Sequence, residues 1–226
     1  MAADKPRHGR YGLLLIVAVV SLIVQGVVEP SAVQQVIVTL LAGAILLLAL
    51  RAARLSPRWI QIASAIAVAA LTVSIVRATA GGIGDGAARA MNAALIALGP
   101  PAIVVGLVRD LREAGMVRVQ ALFGVLSLYM LIGMAFGFVY GAIDYFGSDP
   151  FFAAGQTATV SNCLYFSFIT LSTVGYGDFV ASTDLGHTLA VFEALIGQIY
   201  LVTVVSLIVT NLRRPIRDGA SASAGS

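Results

Sequence analysis

Charge is scarce in this sequence: Asp, Glu, Lys and Arg make up 11% of its 226 residues, against 59% hydrophobic residues. A water-soluble domain carries about a quarter charged residues, so a surface built mainly for water is excluded. Cysteine is almost missing. Cys163 alone forms no intrachain disulfide, and a Cys-rich metal site is ruled out. His8 and His187 are the only histidines and lie far apart, and no HExxH motif occurs. Cys163 and His187 lack a third partner for nucleophilic catalysis. Neither an enzyme nor a nucleic-acid-binding protein is expected, and no cofactor is implied.

What the chain has instead is long apolar runs, at 11–28, 32–50, 59–76, 87–108, 119–143 and 188–212. About 20 such residues cross roughly 30 Å of hydrocarbon, and only a helix satisfies its own backbone there. A shorter stretch, 159–172, is rich in Phe, Tyr, Ser and Thr and cannot span. The expected fold class is all-α integral membrane: six transmembrane helices plus one short re-entrant helix. Lys5, Arg7 and Arg10 precede the first run as they would in a signal peptide. The apolar stretch continues to Val28, however, and Glu29-Pro30-Ser31 offers no small-x-small cleavage site. It reads as a retained first helix.

The cations orient the helices. Lys5, Arg7 and Arg10, then Arg51, Arg54 and Arg58, then Arg109, Arg112 and Arg118, and finally Arg213, Arg214 and Arg217 all fall on one side. Only Arg77 and Arg89 fall on the other. The positive-inside rule therefore puts both termini in the cytoplasm of a multi-pass plasma-membrane protein. The 144–187 loop has no Lys or Arg but carries four aspartates, and faces outside. Gly81 to Gly86 reads as a flexible external loop, and the small polar tail as disordered. The chain divides into a cytoplasmic N-terminus (1–10), four helices (11–108), a linker (109–118), a helix–loop–helix unit (119–212) and a tail (213–226).

That last unit carries the chemistry. Its short helix (159–172) leads into Thr173-Val174-Gly175-Tyr176-Gly177-Asp178. Non-helical backbone at membrane depth is tolerated only inside protein or along an aqueous path. Alternating glycines accept φ > 0, which lets successive carbonyls face one side of the chain. Four such strands about an axis stack rings of oxygens that replace the water shell of a cation. One chain supplies a quarter of each ring, so a homotetramer is required.

Residues 170–178, Thr-Leu-Ser-Thr-Val-Gly-Tyr-Gly-Asp, resemble the signature sequence of potassium channels. The likeness extends over residues 119–212. It implies that the carbonyls of Thr173, Val174, Gly175 and Tyr176, with the Thr173 hydroxyl, bind K+, and that Gly177 completes the filter. It implies that Tyr165 and Phe166 brace the filter and that Asp178 sits just outside it. Some family members pair that aspartate with an acid on the pore helix, but Ile169 stands at the matching position. Gly197 matches the family's hinge glycine in the inner helix (188–212), although close packing against the pore helix explains it equally well. Aligned so, Gln198, Leu201, Val205 and Ser206 line the cavity, with Val209 near the inner mouth.

Gly133, Gly137 and Gly141 form a small-residue stripe, expected to pack on the pore helix or the inner helix. Glu193 is the one ionisable side chain well inside the sixth run. An acid there is costly and needs a partner, with Ser167, Thr170 and Ser172 as candidates. A hydrogen bond supporting the filter from behind is the preferred role, and a coupling of pH to gating the alternative.

The layout resembles that of voltage-gated potassium channels, whose fourth helix carries a cation at every third position. Here no charge lies between Arg89 and Arg109, and Gly99-Pro100-Pro101 should break or kink the segment. Little voltage sensing is expected. The charged stretch after it is placed to lie on the inner leaflet against anionic lipid headgroups, or to be a plain solvated loop. A secondary transporter would show interrupted helices in corresponding halves, and only the fourth run is interrupted. A weakly selective cation channel fits poorly with an intact Val-Gly-Tyr-Gly core.

Overall fold

The computed structural model describes residues 10–29, 31–79, 86–114 and 119–212. Expectations for Lys5 and Arg7, for residues 81–85 of the glycine loop and for the tail lie outside these residues, whereas Arg10 and Gly86 each open a helix. Among them the chain forms eight helices and a single antiparallel bridge, Phe152 to Ala181. The helices are α1 (Arg10–Val27), α2 (Ala32–Ala52), α3 (Pro57–Thr79), α4 (Gly86–Ala97), α5 (Gly99–Ala114), α6 (Val119–Phe146), α7 (Val160–Leu171) and α8 (Asp184–Leu212). All six apolar runs lie on helix, the fourth of them as two.

Local chemistry sets the ends. Ser31 caps α2, its hydroxyl accepting from the Gln34 N–H at 3.1 Å. Pro57 opens α3, where its missing N–H costs nothing. The same logic explains the break between α4 and α5. Pro100 and Pro101 cannot continue a helix, yet both fit in the first turn of a new one, whose N–H groups have no intrahelical acceptor. α5 then runs through Arg109 to Ala114, so this part of the charged stretch is helical. The Arg109 guanidinium reaches the Arg54 carbonyl in the α2–α3 turn at 3.3 Å.

By length and composition, four helices among the described residues are able to cross a membrane, within Ala32–Ala52, Pro57–Thr79, Leu122–Phe146 and Asp184–Val204. Tyr11–Val27 and Ala94–Gly106 are shorter apolar stretches. This is a multi-pass membrane architecture. α1 and α4 pack on α6, and α1 also touches α7, so the N-terminal helices lie directly against the C-terminal unit. Gly99 abuts Leu131 of α6 so closely that a Cβ there would stand 2.4 Å from its Cδ2. α8 is the least covered span. Leu185, Val191, Phe192, Leu195, Ile199 and Val202 are all exposed.

Candidate ion-conducting site

The site begins with a helix too short to span. At 12 residues α7 is about 18 Å long. Thr159 caps its N-terminus, accepting from the Asn162 N–H at 3.1 Å. Its seam with α6 is the glycine stripe. A Cβ on Gly133 would stand 2.8 Å from the Phe168 ring, and one on Gly137 3.1 Å from Leu164 Cα. Of the two partners expected for that stripe, α7 is the one it meets.

The C-terminus of α7 closes as a Schellman motif. The Thr173 N–H donates to Thr170 O at 2.9 Å and the Val174 N–H to Ile169 O at 2.9 Å. The left-handed position of this motif is normally glycine, but here it is Thr173, at φ +58. A β-branched residue is strained there, and such strain clusters at functional sites. Positive φ then recurs at every second residue, at Gly175 (+51) and Gly177 (+80). Residues 173–178 are all exposed on the single chain, Val174 by 52% and Tyr176 by 72%.

The flanks pin this segment. Tyr165 Oη donates to Asp178 Oδ2 at 2.8 Å, and Gln156 Nε2 to Asp178 O at 2.7 Å. Asp178 thus finds a phenol on α7 instead of a second acid. Ile169, which stands in the acid's position, contributes its carbonyl to the N–H groups of both Val174 and Gly175. Tyr165 also packs on Phe179, ring centroids 5.6 Å apart. Phe166 is buried among Tyr140, Phe151 and Phe152. It packs against α6 and the loop that follows it. The segment after the strand is tied to the loop before α7, through Ala153 N–H to Val180 O and Ser182 N–H to Phe151 O.

On α8, one stripe turns inward. Glu193 is fully buried, with Tyr140 Oη donating to its Oε2 at 2.6 Å and Ser167 Oγ 2.5 Å from its Oε1. Ser167 Oγ is also 2.6 Å from the Gly133 carbonyl. Of the three expected partners only Ser167 is met; the Ser172 hydroxyl bonds Phe168 O instead. Tyr140 was not foreseen, although it lies seven residues beyond Gly133, two turns along the same face. Gly197 lies against the end of α7, and Tyr200 donates to Val125 O on α6. Gln198, Leu201 and Ser206 are exposed on α8. The side chains of Val205 and Val209 lie outside the described residues.

Residues 124–214 match a family model described as "Ion channel". This region runs from early α6 through α8. Over 89 residues the chain is 34% identical to the potassium channel, subfamily K, member 16, of Mus musculus. That alignment covers 36% of this chain and 30% of the mouse protein, so the chain spans under a third of this relative's length. No solved structure matches. The family model supports an ion-channel region over residues 124–214.

Proposed function

We propose that the chain is one subunit of a homotetrameric potassium channel that conducts K+ passively, with Thr173 to Gly177 as its selectivity filter. The observation that carries this reading is the positive φ at 173, 175 and 177, on exposed backbone directly after a short helix. Alternating the hand of the backbone at every second residue turns successive carbonyls toward one side. The exposed side of the strand then needs three more copies to close a ring, in which the carbonyls of Thr173, Val174, Gly175 and Tyr176 and the Thr173 hydroxyl replace the ion's water. The C-terminal end of α7 adds partial negative charge that favours a cation below the filter. Exposed Gln198, Leu201 and Ser206 are consistent with a cavity lined by α8, and its bare apolar residues with contacts to other copies and to lipid.

In this reading the first four membrane segments form a voltage-sensor-like unit without sensor charges, and both termini are cytoplasmic at the plasma membrane. Gly197 fills the family's hinge position, and its contact with α7 gives a packing reason for the same glycine. The test is purified protein in liposomes, with oligomeric mass measured in the same preparation. The account expects a mass of four chains and rapid K+ efflux with little Na+ efflux. A lone subunit, or no K+ efflux, would overturn it.

A further inference from the structure

Five oxygens from four residues form a hydrogen-bonded chain across three helices: Tyr140 and Gly133 of α6, Ser167 of α7 and Glu193 of α8. The separations are 2.6 Å from Tyr140 Oη to Glu193 Oε2, 2.5 Å from Glu193 Oε1 to Ser167 Oγ, and 2.6 Å from Ser167 Oγ to Gly133 O. Oxygens this close need a proton between them, because two bare lone pairs repel at hydrogen-bond distance. Three contacts therefore require three protons. Tyr140 supplies one and Ser167 supplies one, and the Gly133 carbonyl has none. The third has to be the carboxyl proton of Glu193.

We propose that Glu193 is held as a neutral carboxylic acid and acts as a hydrogen-bond donor that positions the pore helix. The order is fixed: Tyr140 donates to Glu193 Oε2, Glu193 Oε1–H donates to Ser167, and Ser167 donates to Gly133 O. Were Glu193 ionised, the single Ser167 proton would face two acceptors, and one link between α7 and its neighbours would be lost.

The surroundings agree. Glu193 and Ser167 are both fully buried, and an ionised carboxylate without a cation is too costly at such a site. Among the described residues, the titratable groups around it are Tyr140 and Tyr129 of α6 and, beyond Tyr140, the buried Cys163 of α7. None is cationic. Four and seven residues past Glu193, the same face of α8 carries Gly197 against Leu171 and Tyr200 against Val125. The neutral acid is thus the polar end of a stripe that holds α8 to the helix leading into residues 173–177. Its effect on conduction rests on the filter reading, whereas its protonation state does not.

The experiment is infrared difference spectroscopy of the reconstituted protein at neutral pH, wild type against Glu193→Gln. The expected result is a protonated-carboxyl C=O band present in the wild type and lost in the variant. Ser167→Ala should shift that band to higher frequency, since the proton loses its acceptor. Glutamine reproduces both the donor and the acceptor, so Glu193→Gln should keep thermal stability and K+ flux close to wild type. Glu193→Ala should lose flux roughly tenfold, the factor that about 1.4 kcal/mol gives. Carboxylate bands in place of the C=O band would overturn the proposal, as would Glu193→Gln failing as badly as Glu193→Ala. Should the wild type pass no K+, the filter reading would fall while the band still decided the proton.

Discussion

A Cβ on Gly197 would stand 1.9 Å from the carbonyl oxygen of Leu171, so α8 crosses the end of α7 with no room for a side chain. Backbone atoms cannot swing aside as a flexible side chain can. Gly197→Ala should therefore destabilise by about 1–3 kcal/mol through overpacking, read as a lower Tm in detergent and reduced K+ flux. Gly26→Ala is the control, because open space surrounds that position. An unchanged Tm for Gly197→Ala would show that the two helices do not approach this closely.

Thr173 occupies the left-handed end of a Schellman motif, at φ +58. Alanine and glycine both remove the hydroxyl, but only alanine keeps the Cβ that is strained there. Thr173→Gly should be more stable than Thr173→Ala by about 1 kcal/mol, while both weaken K+ over Na+ selectivity alike. Equal stability of the two variants by thermal unfolding would argue against the left-handed backbone.

Tyr165 holds Asp178 at the outer end of the strand by a 2.8 Å hydrogen bond at an exposed position. Tyr165→Phe should leave Tm nearly unchanged and alter the channel at its mouth, with faster decay of current during sustained recording. Current indistinguishable from wild type would mean that the Gln156 bond and the Phe179 contact suffice.

The fourth apolar run has no charge between Arg89 and Arg109 and is divided between α4 and α5. Each elementary charge crossing the field is worth about 2.3 kcal/mol per 100 mV, and this run carries none between those two arginines. Open probability in planar bilayers should therefore change little with voltage. Steep voltage dependence, with several gating charges per subunit, would contradict this.

The helices were legible because apolar length and prolines act locally. Pro100 and Pro101 announce the α4–α5 break, and the hydroxyls of Thr159 and Ser161 bracket the start of α7. Less legible were contacts set by tertiary approach. The burial of Glu193 called for a partner, and Ser167 was among the residues that fitted, but Tyr140 lies 53 positions away on another helix and no spacing rule points to it. The glycine stripe of α6 left two partners open, because a small-residue face shows that something comes close without showing what. Asp178 was expected to lack its acid partner, yet nothing in the sequence indicated that the Tyr165 hydroxyl would take that place.

The central claim is that the backbone of residues 173–177, repeated around an axis, distinguishes K+ from Na+. Its most direct test is the reversal potential of the purified protein in a bilayer with KCl on one side and NaCl on the other. The account predicts a large displacement from zero, toward the K+ equilibrium potential. Reversal at zero, with both ions passing equally, would contradict it.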